Sequence, residues 1–137
     1  MFRIFLDTNV ALDLIANREP FVHESLPLLE LVKKGEARLF ISEVSIGTIV
    51  YMAFDRLKLV NPEEKLIQFF DFCHVISGGK NALLNSLTSD FKDKEDGIQY
   101  FTAIENQMDF FITRDKIGFK RATGKIPVLT PKEFFEN

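Results

Sequence analysis

Phe2-Arg3-Ile4-Phe5-Leu6-Asp7-Thr8-Asn9-Val10 is the stretch on which the fold turns. All but Arg3 in its first five residues are apolar, the composition of a short buried strand. The apolar run stops at Asp7-Thr8-Asn9, and Val10-Ala11-Leu12-Asp13-Leu14-Ile15 continues as a helix. A strand that passes into a helix through a carboxylate suits an open α/β sheet, where ligands bind beyond the carboxyl ends of the strands. Asp7 also has a plainer reading, in which its side chain only caps the helix.

The rest of the chain repeats this alternation. Residues 21–34 form a helix in which Val22, Leu26, Leu29 and Val32 point inward, with Leu28 and Leu31 widening the stripe. Gly35 ends it. Residues 38–41 are a second strand, and Ser42 caps the next helix. There Ile46, Ile49, Val50, Ala53, Phe54 and Leu57 trace one long buried face. Asn61-Pro62-Glu63-Glu64 reads as cap, first-turn proline and first-turn acids, ahead of a helix that turns Leu66, Phe69, Phe70 and Cys73 inward. Residues 74–76 are a third strand, Ser77-Gly78-Gly79 a plain turn, and 81–87 a short helix carrying Ala82, Leu83, Leu84 and Leu87. The acidic run from 90 to 96 opens a helix with Ile98, Phe101, Ile104 and Met108 on its buried face. Residues 110–113 are a fourth strand, and 126–129 a fifth, at an edge because of Pro127. Thr130-Pro131-Lys132-Glu133 starts a last short helix. Strands alternating with helices predict an α/β fold, a parallel sheet with helices on both faces.

Bulk properties narrow the classes. A chain of 137 residues, 46% hydrophobic and 27% charged, suits a single domain, 1–137. With 15 Phe and no Trp, core aromatics are mostly Phe. A net charge of −3 excludes the broad basic footprint of a general nucleic-acid binder. Cys73 stands alone, which rules out an intrachain disulfide and suits a reducing, cytoplasmic setting. Arg3, Asp7 and Asp13 break any signal peptide of the usual form, and no apolar run is long enough to span a membrane. Neither His23 nor His74 has a Cys or His at metal-ligand spacing, which argues against zinc.

Three acids fall at comparable positions. Asp7 follows the first strand, Asp115 follows the fourth, and Asp96 opens the helix that feeds the fourth. The two strand ends share an edge in a parallel sheet; Asp96 reaches that edge only if the segment before it crosses back, which the pattern does not force. Two carboxylates 4 Å apart repel by roughly 4 kcal/mol at an effective dielectric of 20, so a cluster calls for a cation or a proton. All-oxygen ligands suit Mg²⁺ or Mn²⁺, and such ions activate water against phosphodiesters. Each acid has a structural alternative. Asp96 and Glu95 favour a helix N-terminus, Asp93 is a candidate cap, and Asp115 a turn residue. Asp13 and Asp55 read as solvated. Arg114, Lys116, Lys120, Arg121 and Lys125 form the densest basic run, either a phosphate-binding surface beside Asp115 or a solvated loop.

These residues resemble the PIN-domain family, small metal-dependent ribonucleases that include the VapC-like toxins of bacterial toxin–antitoxin pairs. Leu6-Asp7-Thr8-Asn9-Val10 is similar to its opening motif, Glu95-Asp96 with Ala103 and Glu105 to its central acidic helix, and Thr113-Arg114-Asp115 with Phe119 to its late motif. The ending, Val128-Leu129-Thr130-Pro131-Lys132-Glu133-Phe134, is similar as well. The resemblance implies a three-layer α/β/α fold with a five-stranded parallel sheet of order 3-2-1-4-5. It implies catalytic, metal-holding roles for Asp7, Asp96 and Asp115 with Mg²⁺ or Mn²⁺, and supporting roles for Asn9, Thr113, Glu95 and Asp93. RNA would lie against Arg114, Lys116, Lys120 and Arg121. An antitoxin protein and a second copy of the chain are the expected protein partners. Two positions depart from the family. Thr48 stands where an acid is usual, with Glu43 earlier in the same helix as a stand-in metal ligand, and Gly118 stands where an acid often precedes the late Phe. A non-catalytic PIN-like domain that binds RNA or protein is therefore the competing reading. A receiver-like domain would want an acid where Ser77-Gly78-Gly79 stands, and a haloacid-type phosphatase an Asp in place of Asn9.

Overall fold

The computed structural model describes residues 1–136; Asn137, the last residue of the expected domain, lies outside them. Five strands, β1 (Phe2–Leu6), β2 (Ala37–Ser42), β3 (Cys73–Ile76), β4 (Phe110–Ile112) and β5 (Val128–Leu129), form one sheet in the order β3-β2-β1-β4-β5. Every pairing is parallel. The helices are α1 (Thr8–Ala16), α2 (Val22–Lys33), α3 (Ile46–Tyr51), α4 (Pro62–Phe70), α5 (Gly79–Leu87), α6 (Lys94–Glu105) and α7 (Pro131–Glu136). None is long and apolar enough to cross a membrane.

Strand alternation sorts the core chemically. Ile4, Leu6, Leu39, Ile41 and Ile112 face one side, where they pack with Val10, Leu12 and Ile15 of α1, Leu28 of α2 and Phe69 of α4. The pleat sends Phe5, Phe40 and Phe111 to the other side. There Phe5 stacks on Phe111 at 4.9 Å, and Phe111 meets Phe119 at 4.6 Å and Tyr100 of α6 at 5.9 Å. The fully buried strand residues are thus aliphatic on one face and aromatic on the other, with Phe2 and Phe110 packing on Phe134 of α7 on the aliphatic side.

Several local expectations are corrected. Leu26 is exposed, and Ser25 takes its place in the inward stripe of α2. The single long helix expected across 46–57 is a 3₁₀ turn at Glu43–Ser45, α3, and a π turn at Met52–Arg56. Val50, Phe54 and Leu57 face outward while Ile49 and Ala53 stay buried. Asn61 does not cap α4; it lies in the left-handed region with no side-chain bond to the helix. On α5 the leucines 83, 84 and 87 are exposed, and Ala82 and Ser86 are buried instead. The reason is close contact with α6: a Cβ on Gly78 would strike Ala82 and Thr102, and one on Gly97 would strike Ser86. Because α6 is covered by α5 as well as the sheet, its buried face centres on Gly97, Tyr100 and Ala103 rather than on Ile98, Phe101 and Ile104.

Asp13 is the largest correction. It is fully buried, not solvated. Its Oδ1 accepts from Arg18 Nε at 2.8 Å and from Arg114 Nη2 at 3.2 Å, and its Oδ2 from Arg114 Nε at 2.6 Å. The Arg114 guanidinium also stacks 3.8 Å from the Phe21 ring centre. Charge hidden this deeply is tolerable only because it is paired. Asp55, by contrast, is exposed as expected. Removing a buried partner of an ion pair typically costs about 3 kcal/mol or more. Urea unfolding should therefore show Asp13→Ala destabilised by about that much, and Asp55→Ala within about 0.5 kcal/mol of wild type.

Candidate metal centre

The carboxyl edge of the sheet is where β1 and β4 end side by side, and their last residues set the site. Asp7 is 5% exposed and is the N-cap of α1, its Oδ1 accepting from Thr8 N at 2.7 Å. Capping therefore does not compete with a role at the edge; it holds the carboxylate there. The other oxygen, Oδ2, accepts from Thr113 Oγ1 at 2.7 Å. Thr113 is fully buried at the end of β4, and its hydroxyl in turn accepts from Asp115 N at 3.0 Å. One hydroxyl so links two acids from adjacent strands. The Asp115 loop closes on itself, with Oδ1 accepting from Gly118 N at 3.1 Å, and Phe119 buries its ring against Phe111.

Asp96 arrives by the crossing back that the sequence pattern left open. The α5–α6 pair packs antiparallel, with Gly78 beside Thr102 and Ser86 beside Gly97, and the first turns of α6 reach the carboxyl edge, where Asp96 and Gln99 line a cleft with Asp7 and Asp115. Asp93 caps α6, its Oδ1 accepting from Glu95 N at 2.9 Å and Asp96 N at 3.2 Å. Asp7, Asn9, Thr48, Asp93, Glu95, Asp96 and Asp115 all line one open cleft. Two further residues matter in ways the sequence did not suggest. Gln99 is buried, and its Oε1 accepts from Thr8 N and Thr8 Oγ1, each at 3.3 Å. Buried Ser45 meets Thr8 Oγ1 at 2.6 Å. The spacing of three between Asp96 and Gln99, one helical face, was the available signal for the first; Ser45 carried none.

Other expected residues lie elsewhere. Glu43 does not line this cleft; it borders a separate groove with Ser42, Phe70 and Gly78, because the 3₁₀ turn aims it away from β1. Thr48 is the residue of that segment that faces the acids. Arg114 is committed to Asp13 rather than held out to solvent, and Lys116 Nζ pairs with Glu133 at 3.2 Å. Lys120 and Arg121 border an adjoining pocket that Asp96 and Asp115 share. Asn9 stands at the cleft rim, where Arg18 Nη2 donates to its carbonyl at 3.2 Å.

Residues 3–117 match the PIN domain. The chain belongs to the PIN-domain family. No curated protein matches it. Solved structures that share its fold include three toxin–antitoxin assemblies. VapBC2 from Rickettsia felis bound to a DNA fragment from their promoter aligns with a TM-score of 0.68 at 18% identity, covering 93% of this chain and 97% of that one. DNA-bound VapBC from Salmonella typhimurium aligns at 0.66 and 19% identity, over 96% and 99%. A toxin–antitoxin complex from Klebsiella pneumoniae aligns at 0.67 and 22%, over 95% and 98%.

Electrostatics in this PIN domain are strained in one direction. Burial raises Asp7, against the pull of its hydrogen bonds from Thr113, Thr8 and Gln99, and Asp115 adds to the rise. Asp96 is pushed up to about 7, first by burial and then by the charges of Asp93, Asp7, Asp115 and Glu95. None of Asp7, Asp96 and Asp115 has an ion-pair partner among the described residues. No three of the described His, Cys, Asp and Glu residues stand close enough to be a finished metal shell. The donor set still fits a hard divalent cation: oxygen only, no nitrogen or sulfur, and open enough for the waters such ions keep.

A carboxyl whose folded value lies above its unfolded value favours folding only while protonated. Below the ordinary 3.8 both states hold the proton; between there and about 7 the unfolded chain releases it and the folded one does not. Stability therefore falls as pH rises through that window and levels off above it. In chelator, Asp96→Asn should melt progressively higher than wild type as pH rises from about 4 to about 7, with little difference at the acid end. A constant offset across that range would place the strain elsewhere.

Proposed function

We propose that the chain is a Mg²⁺- or Mn²⁺-dependent endoribonuclease, the toxin of a toxin–antitoxin pair. One observation carries this reading: three carboxylates from three separate elements, Asp7, Asp96 and Asp115, line one open cleft, and none has an ion-pair partner among the described residues. PIN-family membership supports hydrolysis of RNA as the chemistry. The fold shared with toxin–antitoxin complexes supports a protein antitoxin as the partner.

Asp7, Asp96 and Asp115 would hold the ion, which supplies positive charge to phosphate oxygens and lowers the pKa of water. The chain's own residues do the positioning. Asp7 is the fixed member, since Thr8 N–H and Thr113 Oγ1 each hold one oxygen. Gln99 and Ser45 fix Thr8 and thereby the start of α1. Asp93 holds the first turn of α6, and so the backbone of Asp96. Asn9 and Glu95 line the cleft at its rim, where an RNA strand would pass.

Thr48 favours a second reading, a non-catalytic domain that binds RNA or protein, because a hydroxyl faces the acids where the family usually has a carboxylate. Single-stranded RNA cleavage separates the two. Wild type should cut only with Mg²⁺ or Mn²⁺, and Asp7→Asn should slow cutting more than about a hundredfold. Activity that survives EDTA, or RNA binding without cleavage under any metal, overturns the nuclease reading.

A Mn²⁺ titration by calorimetry addresses the departure directly. Thr48→Glu should tighten binding by adding a charged ligand to the cleft. Glu43→Gln should leave affinity unchanged, since Glu43 borders the other groove. Weaker Mn²⁺ binding in Glu43→Gln would mean that its side chain swings to the ion.

A further inference from the structure

The acids of the cleft have a second side. Asp93, Asp96 and Asp115 form a wall shared with an adjoining pocket of about 280 Å³. Basic residues line it as well: Lys92 from the segment before α6, and Lys120 and Arg121 from the segment after the 3₁₀ turn Ile117–Phe119. None of these three makes an ion pair among the described residues, although carboxylates stand across the same pocket. Their neighbours behave differently, since Arg114 is spent on Asp13 and Lys116 on Glu133. Cations that converge on a pocket and leave the facing acids unpaired leave room for an anion between them. A free anion would also meet the acid wall. A ligand with two linked anionic groups, one on these cations and the other on the ion that would sit among the acids, satisfies both halves.

Gly118 stands against the shared wall. Its backbone is outside the left-handed region, so conformation does not call for glycine there. Space does. A Cβ at this position would stand 2.8 Å from Asp115 Oδ2 and 3.2 Å from Asp96 Oδ2, so a side chain here would crowd both acids of that wall.

We infer that this pocket is a second phosphate subsite, in which Lys92, Lys120 and Arg121 hold the phosphate next to the one cut and Gly118 keeps open the path of the strand between them. The inference rests on the nuclease reading for the chemistry at the acids, but the subsite itself consists of protein cations and exists without metal. It makes the preferred ligand a single strand with at least two consecutive phosphates.

Fluorescence anisotropy with a short labelled single-stranded RNA, in EDTA and over a range of salt, tests it. Lys92→Gln/Lys120→Gln/Arg121→Gln should bind about tenfold more weakly than wild type near 0.1 M salt. The slope of log affinity against log salt should flatten by about 0.7, the loss of one phosphate contact on a single strand. Gly118→Leu, which adds bulk without charge, should reproduce the loss, with a circular dichroism melt to verify its fold. Lys33→Gln/Lys34→Gln, at the end of α2, should change neither quantity. Unchanged affinity and slope in the triple variant overturn the subsite, as does absence of RNA binding by wild type. Metal-dependent cleavage is scored separately on wild type. Cleavage with an unchanged slope removes the subsite and keeps the nuclease; binding that depends on the three cations without any cleavage removes the nuclease and keeps the subsite.

Discussion

A single buried hydroxyl organises this edge of the molecule. Thr113 Oγ1 donates to Asp7 Oδ2 and accepts from Asp115 N, so one atom sets the spacing between the acids that end β1 and β4. A hydroxyl has one proton to give and lone pairs to accept with, and a buried one must use them. Neighbouring strands supply the frame: Asp7 N also donates to Ile112 O at 2.9 Å, which continues the β1–β4 ladder one residue past β1. Valine would match the shape of Thr113 but leave both acids without this link. Burial works against charge on Asp7, and the bonds from Thr113, Thr8 and Gln99 work for it.

Around that link, the two faces of the sheet do different tasks. The aliphatic face anchors α1, whose buried Asp13 holds Arg18 and Arg114 in place. The aromatic face anchors the parts of the site that lie outside the strands. Phe119 docks on Phe111 and so ties down the loop that carries Asp115 and Gly118, while Phe91 packs on Tyr100 at the entry to α6. Phenylalanine suits this role because stacked and edge-on rings are worth more than their buried area alone and bring no polar group to satisfy.

Charge is where stability and chemistry part. Five acids border one cleft, and burial together with mutual repulsion lifts Asp96 to about 7. A protein selected only for stability would neutralise them with the lysines and arginine next door. Here those cations face a pocket instead, and the repulsion is left in place. Such tension is what a divalent ion would relieve on binding, and the energy lost to folding would then reappear as affinity for the ion.

Much of this was legible in the chain itself. Alternating apolar runs and helix stripes specify five parallel strands, because a β-α-β connection has few ways to bury both faces. The stops at Asp7 and Asp115, and the caps at Asp93 and Ser42, were equally local signals. Thr130 and Glu133 close a reciprocal capping box, as their spacing predicts. What tertiary structure alone decided are matters of distance between segments far apart in sequence. Asp13 reads as a surface acid until Arg114, 101 residues away, arrives to pair with it. Glu43 and Thr48 sit five residues apart on one segment, yet the 3₁₀ turn sends only Thr48 to the acids. Gly118 looks like a missing acid in the sequence, and only the structure shows that a side chain there would crowd Asp115 and Asp96. Local pattern governs which elements form, since backbone hydrogen bonding and side-chain periodicity act over a few residues. Pairing of buried charge and the shape of a cleft depend on contacts that only the packed chain makes.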